Sequence, residues 1–424
     1  MATQRMRVTR RAVIAGLGAS LAAPSVVRGQ AAARVVVIGG GVGGATAAKY
    51  VKQWAPAVQV TLIEPADRFV TCPYSNLVLG GLRKMSAITH SYRKLSRRVQ
   101  LVHDSAAAID ASARTVRLQG GSTIAYDRLI VSPGIDLRWG AIAGYDEAAS
   151  EKMPHAWKAG PQTVLLRRQL EAMKDGGVIV ISAPDNPFRC PPGPYERACM
   201  IAYYLKTAKP KSKLVILDAK DSFSKQGLFQ DGWKRFYADI IEWVPVSKGG
   251  KVTRVDPAAM TLEDEFGTSH KADVANVIPP QFAAKIARDA GLADQSGWCP
   301  VEPLGFESTL VKNIHVIGDA CIAAPMPKSG FVANSHGKVA AAAVVALLAG
   351  RAPAEATWSN VCYSHVTPDY GISVADDYHI AAGKFAAVPG SGGTSPRDAN
   401  DAFRKREIEY GDGWYASITT DMFG

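Results

Sequence analysis

The segment from Arg34 to Lys49 constrains the fold more than any other part of the chain. Four apolar residues, Val35 to Ile38, lead into Gly39-Gly-Gly-Val-Gly-Gly44 and then into a run of small residues ending at Lys49. The pattern predicts a buried strand, a glycine turn and a helix. Gly39, Gly41 and Gly44 fit G-x-G-x-x-G: the first for the tight turn, the second for backbone approach to a pyrophosphate, the third for helix-on-strand packing. The helix N-terminus then offers unpaired N–H groups to phosphates. A second strand, Val58 to Ile63, ends at Glu64, an acid at the right distance to accept from ribose hydroxyls.

Two later segments favour FAD as the dinucleotide. Tyr126 to Gly134 reads as a strand ending in a tight turn at Pro133-Gly134, and Asn313 to Asp319 as a strand ending in Gly318-Asp319. That order resembles the large class of flavoproteins with two dinucleotide domains. The resemblance implies that Asp319 binds the ribityl chain and that Gly318 admits close backbone approach.

A second Rossmann unit is expected from the strands Gly177–Ser182 and Lys213–Asp218. Between them, where a glycine turn belongs, Ala183 to Arg197 holds five prolines and one glycine. Proline removes N–H donors and fixes φ, so no phosphate cradle and no NAD(P)H site is expected there.

The chain has 424 residues, 47% of them apolar, enough for two or three domains with substantial cores. Arg5, Arg7, Arg10 and Arg11 precede the apolar run Ala12–Val27, and Thr9-Arg10-Arg11 resembles a twin-arginine export signal. Residues 1–30 are therefore expected to be a signal peptide, and the protein to be periplasmic. The apolar run is too short, and too interrupted by Pro24, for a membrane span. The net charge of +11 includes five arginines of that segment, which leaves about +6 for the remainder. No basic cluster interleaved with aromatics suggests nucleic acid.

None of the six cysteines forms C-x-x-C or C-x-x-C-H, so zinc ribbons, thioredoxin motifs and c-type haem on this chain are not expected. No metal-ligand spacing is found among the eight histidines. Cys72 lies in the loop after the ribose strand, where a thiol could bond the 8α-methyl of a flavin; a buried or free cysteine is an equal reading. Cys190 precedes or opens a helix, whose N-terminus would stabilise a thiolate, and Glu196 lies six residues on. Cys362 comes late, after the FAD domain has closed. A structural bridge between Cys190 and Cys362 stays open as an alternative. Cys199 and Cys321 read as core residues and Cys299 as a packed loop residue.

Several long segments resemble the flavoprotein subunit of flavocytochrome c sulfide dehydrogenase: Thr71–Asn76, Pro154–Gly160, Phe188–Arg197, Gly318–Ala320, Pro325–Gly330, Asn334–Lys338 and Cys362–Ser364. The resemblance implies FAD held by an 8α-cysteinyl thioether at Cys72. It implies a redox disulfide between Cys190 and Cys362, Glu196 as proton acceptor, and Lys328 among the cofactor-binding residues. It implies electron transfer to a separate c-type cytochrome subunit in a heterodimer, with sulfide as substrate and no integral membrane contact. The departures are Cys199 and Cys321, where serine is usual, and His336, where glutamine is common.

The fold expected is α/β: two Rossmann-like domains of the disulfide-oxidoreductase flavoprotein type, the second without a nucleotide site, plus a small C-terminal domain. The expected divisions are 31–144 and 281–348 for the FAD domain, 145–280 for the second unit and 349–424 for the C-terminal domain. A sulfide:quinone oxidoreductase and a flavin-binding accessory subunit of a sulfur-oxidation system are the alternatives. The quinone enzyme needs a membrane-facing tail, and residues 401–424 look broken by glycines and without an apolar face.

Overall fold

The computed structural model describes residues 32–424; the export-signal expectation lies outside the described residues. The glycine-turn segment forms the centre of a five-stranded parallel sheet. Its order is Ile314–Val316, Arg128–Val131, Arg34–Ile38, Gln59–Ile63, Gln100–Val102. Strands covered on both faces read as continuous apolar runs, which is what Val35 to Ile38 and Leu129 to Val131 are, each 5% exposed or less. The strand from Ile314 enters this sheet after the chain has built a second unit. The first helix, Val42–Trp54, lies against Gly330–Leu348. A Cβ on Gly337 would come within 2.5 Å of the Gly43 carbonyl oxygen, so the two helices touch backbone to backbone. Gly330–Leu348 is long and apolar enough to cross a membrane by length and composition, but one face is buried in this packing.

The second unit is a four-stranded parallel sheet in the order Ile241–Val244, Lys213–Asp218, Val178–Ala183, Val274–Val277. Its crossover helix, Gly193–Ala208, begins with Pro192 at the N-cap, Pro194 inside the first turn and Glu196 after it. The C-terminal part is an antiparallel pair, Trp358–Thr367 with Tyr370–Ala381, covered by a terminal helix, Asp401–Phe423.

That terminal helix corrects the reading of the tail. It is continuous over 23 residues, and Arg404, Glu407, Gly411, Tyr415, Ile418 and Met422 make one buried face. Glycine costs a helix about 1 kcal/mol, but a Cβ on Gly411 would stand 3.3 Å from Tyr363 and 3.4 Å from the Tyr74 hydroxyl. The glycine lets the helix lie close to the strand that carries Cys362. Tertiary packing outweighs local propensity, and the apolar face that seemed missing is spent inside the protein.

Candidate functional site

The first site is a cleft of about 340 Å³ at the C-terminal ends of the first sheet. Gly39 has φ +92°, and a Cβ there would sit 2.3 Å from the Ser132 carbonyl oxygen; one on Gly44 would sit 1.9 Å from that of Gly39. Neither position tolerates a side chain. Gly41 heads a 13-residue helix with no side-chain cap and no acid in its first turn, so its free N–H groups open on the cleft. Glu64 is held at the rim, its carboxylate accepting from the Gly40 N–H at 2.7 Å and the Ala66 N–H at 3.0 Å. Pro133, Gly134, Gly318 and Asp319 line the opposite wall. Gly134 and Gly318 both take positive φ, +68° and +71°. Burial pushes the Asp319 carboxyl up, against the pull of Arg189 and Lys328. Among the described residues its carboxylate has no hydrogen-bond donor, which suits an acid that accepts from polyol hydroxyls. Uncapped helix, rim acid and free inner acid together fit an extended dinucleotide such as FAD.

Lys328 is placed differently from expectation. Its ammonium donates to the Asp319 and Cys321 carbonyls, both at 2.8 Å, and lies 3.8 Å from the Trp298 ring centre. It faces a neighbouring cavity, not the cleft, and so holds the Asp319 turn in shape. His336 backs the same turn, its Nδ1 accepting from the Gly318 N–H at 3.3 Å.

A second, smaller cavity of about 90 Å³ adjoins the cleft. Cys72 and Cys190 line both; Cys362, Glu196 and His365 line only the smaller one. Three cysteines far apart in sequence therefore meet, and Cys190 is the one of the pair that faces the cleft. All six cysteines are free thiols in the structure. Cys72 is pinned through its carbonyl, which accepts from the Ser75 N–H at 3.0 Å and the Ser75 hydroxyl at 2.7 Å. The preceding Thr71 bonds the Tyr415 hydroxyl of the terminal helix at 2.8 Å. Cys190 has φ +57°, a conformation costing of order 1–3 kcal/mol in a non-glycine residue. It is held by its N–H to the Lys328 carbonyl and its carbonyl to the Gly193 N–H, both 2.8 Å. Its thiol corrects the thiolate expectation. Cys190 stands ahead of the helix, and burial, then the charges of Cys362, Glu196 and Cys72, push the thiol up against Arg189.

Glu196 is held toward its ionised form. Burial pushes its carboxyl up, but His365 and Asn76 outweigh burial and hold it below the usual range. Its oxygens accept from the Asn76 amide at 2.8 Å and the His365 N–H at 2.9 Å. Buried Arg197 donates to the Asn76 carbonyl oxygen at 3.1 Å, which turns the amide N–H₂ toward Glu196. Cys199 and Cys321 are core residues, as expected. Cys299 is not in a loop: it pairs with Cys321 across two short parallel strands.

Sequence reasoning missed Arg189, Asn76, His365 and Lys225. Arg189 and Asn76 stand inside segments already singled out and could have been proposed. Arg189 lines the cleft, and its charge acts on Cys72, Asp319 and Cys190. His365 directly follows the Cys362–Ser364 segment on the same strand and could have been proposed with it, whereas Lys225 reaches the site only through long-range contacts and no local signal marks it.

The second Rossmann unit has its own strand-end acid, Asp218, which is fully buried. It accepts from the Tyr195 hydroxyl at 2.6 Å, Lys220 at 2.6 Å and the Trp243 indole at 3.0 Å, and Tyr195 stacks on Phe223 with centroids 3.6 Å apart. Asp218 is thus already partnered within the protein, and the helix that follows its neighbouring strand opens with two prolines and Glu196, a poor start for a pyrophosphate cradle. NADH is expected not to reduce the bound flavin at a catalytic rate. Rapid anaerobic bleaching by NADH would overturn this account of the second unit.

Comparisons with known proteins converge on one family. Residues 163–279 match the central part of the sulfide dehydrogenase [flavocytochrome c] flavoprotein chain, and residues 354–423 the flavin-binding part of flavocytochrome c sulphide dehydrogenase. Residues 33–159 match pyridine nucleotide-disulphide oxidoreductase. The chain is 60% identical over 45 residues to the sulfide dehydrogenase [flavocytochrome c] flavoprotein chain of Chlorobaculum thiosulfatiphilum, covering 94% of that sequence and 11% of this chain. It is 25% identical over 314 residues to the mitochondrial sulfide:quinone oxidoreductase of Mus musculus, covering 70% of this chain and 67% of that one. The sulfide:quinone oxidoreductase structure from Aquifex aeolicus superposes with a TM-score of 0.71 at 20% identity over 92% of each chain, which supports the fold. The chain is a flavin-binding oxidoreductase belonging to the flavocytochrome c sulfide dehydrogenase flavoprotein family, within the wider group of sulfide-oxidising flavoproteins.

Proposed function

We propose that this protein oxidises sulfide to sulfur or polysulfide through a Cys190–Cys362 disulfide, with FAD fixed to Cys72 by a thioether, and delivers electrons to a c-type cytochrome subunit. The observation that carries this is the meeting of the two cavities at Cys72 and Cys190, with Cys362 and Glu196 on the far side. A flavin in the cleft takes up two electrons as a pair and can release them singly to haem. The twin-arginine pattern supports export of the folded, loaded protein to the periplasm, where the cytochrome would form a heterodimer with it.

The chain's own residues supply the rest. Hydrosulfide enters the smaller cavity and attacks Cys362 Sγ. The disulfide breaks, a new S–S bond joins the substrate sulfur to Cys362, and Cys190 leaves with the electron pair as a thiolate facing the cleft. A second hydrosulfide attacks the outer sulfur, releasing the Cys362 thiolate and HSSH, and Glu196, in the same cavity, takes a proton from HSSH to leave HSS⁻. When the two thiolates close their bond again, two electrons leave toward the cleft. Two hydrosulfides thus give HSS⁻, one proton and two electrons. Cys190 sits in a strained turn between helix and cleft, and Arg189 beside it offsets the charge of the departing thiolate.

Anaerobic turnover with sulfide tests the acceptor. Purified protein is expected to reduce a c-type cytochrome readily and a soluble ubiquinone analogue poorly. The opposite preference would replace the cytochrome reading with the quinone one.

A further inference from the structure

We propose that Lys225 is a positioning residue that holds negative charge on the Cys362 sulfur. The inference rests on the disulfide reading above and assigns a role to a residue of the second Rossmann unit.

Lys225 stands just before the helix Gln226–Phe236, in a left-handed conformation with φ +63°. Its side chain is 6% exposed. Its ammonium donates to the Cys362 carbonyl and to the Ser364 hydroxyl, both at 2.8 Å. Both partners are on the strand that carries the Cys362 thiol, one on either side of Tyr363. The cation is therefore fixed to that strand segment, in a buried place where a charge is weakly screened.

Burial holds the Lys225 ammonium below the usual lysine range, while Cys362, Glu196, Cys190 and Glu407 favour its charged form. Lys225 is the one cation among the causes acting on Cys362, where it draws the thiol down against burial, helped by Asn360 and Ser329. Asn360 lies 3.6 Å from the sulfur and is itself held by the Ser329 hydroxyl at 2.7 Å. Glu196 opposes it from the cysteine helix, with His365 on the same strand as Cys362 facing that carboxylate, and Tyr378 lies on the neighbouring strand. Cys190 also bears on Lys225, but the cation that draws its own thiol down is Arg189.

The two cations are thus placed differently: Arg189 lines the cleft, and Lys225 is bonded to the strand that carries Cys362. An anion approaching Cys362, and an anionic sulfur left on it, would both meet the field of Lys225. A buried lysine with two acceptors and no carboxylate in hydrogen-bond contact has charge to lend in that direction.

The test uses the flavin-loaded protein with Cys190→Ser, which leaves Cys362 unable to form the bridge. The rate of iodoacetamide labelling of Cys362 is followed against pH by peptide mass spectrometry, with and without Lys225→Gln. Gln removes the charge and retains an N–H donor. The midpoint is expected to rise by about one pH unit or more, and Lys225→Arg is expected to bring it back toward the original. In the otherwise unchanged protein, Lys225→Gln should lower kcat/KM for sulfide roughly tenfold or more, while dithionite reduces the flavin as before. An unmoved midpoint in Lys225→Gln, or an equal shift in Lys225→Arg, would overturn the charge role. If instead both cysteine variants turn over sulfide normally, the disulfide reading itself has failed, and the labelling midpoints still decide the Lys225 claim separately.

Discussion

Cys190→Ser and Cys362→Ser are each expected to lower sulfide oxidation by on the order of 10³-fold or more, with flavin content unchanged. Both residues line the smaller cavity, and neither belongs to the glycine turn, the rim acid or the Asp319 turn that form the FAD cleft. A serine leaves a single thiol, which cannot accept hydrosulfide as a disulfide does. The electrophile disappears in both variants, so the two losses should be similar and the double variant little worse. Dithionite, which does not need the disulfide, should still reduce the flavin in all three. A loss confined to one variant would point to a direct reaction of sulfide with the flavin, assisted by one thiol.

Cys72→Ala is expected to abolish acid-stable flavin. A thioether survives precipitation in acid, where non-covalent contacts to Glu64, Asp319 and the helix N-terminus do not. Wild-type pellets should be yellow and Cys72→Ala pellets colourless. The variant should keep its fold, because the Cys72 thiol makes only a long contact, 3.7 Å to the Trp157 carbonyl. The turn is held instead through the Cys72 carbonyl and Thr71. A colourless wild-type pellet would show that the flavin is not covalently bound.

Much of this architecture is legible in the sequence because it depends on local rules. Gly39 and Gly44 are required by steric contacts that a sequence pattern records directly, and the prolines from Pro184 to Pro194 announce a turn that cannot cradle phosphate. The late Gly318-Asp319 is legible for the same reason. What escapes is set by distance. Gly411 looks like a helix breaker until Tyr363 and Tyr74 are seen against it. Lys328 sits in a distinctive segment, yet its charge is spent on two carbonyls behind the flavin wall. The Cys190 thiol lies before a helix N-terminus, but burial outweighs whatever that terminus offers. Asp218 keeps the form of a ribose acid while serving Tyr195, Lys220 and Trp243. Lys225 carries no local mark at all, since its role arises only when the second unit meets the C-terminal strands.

The central claim is that sulfide reaches the flavin by way of the Cys190–Cys362 pair. Its most direct test is a single anaerobic turnover of the oxidised protein with one equivalent of sulfide, quenched at intervals with an alkylating reagent and read by peptide mass spectrometry alongside the flavin absorbance. The account predicts that the intact bridge opens before the flavin bleaches, with one extra sulfur atom on Cys362 and an alkylated thiol at Cys190. Bleaching of the flavin while Cys190 and Cys362 stay unchanged throughout would contradict it.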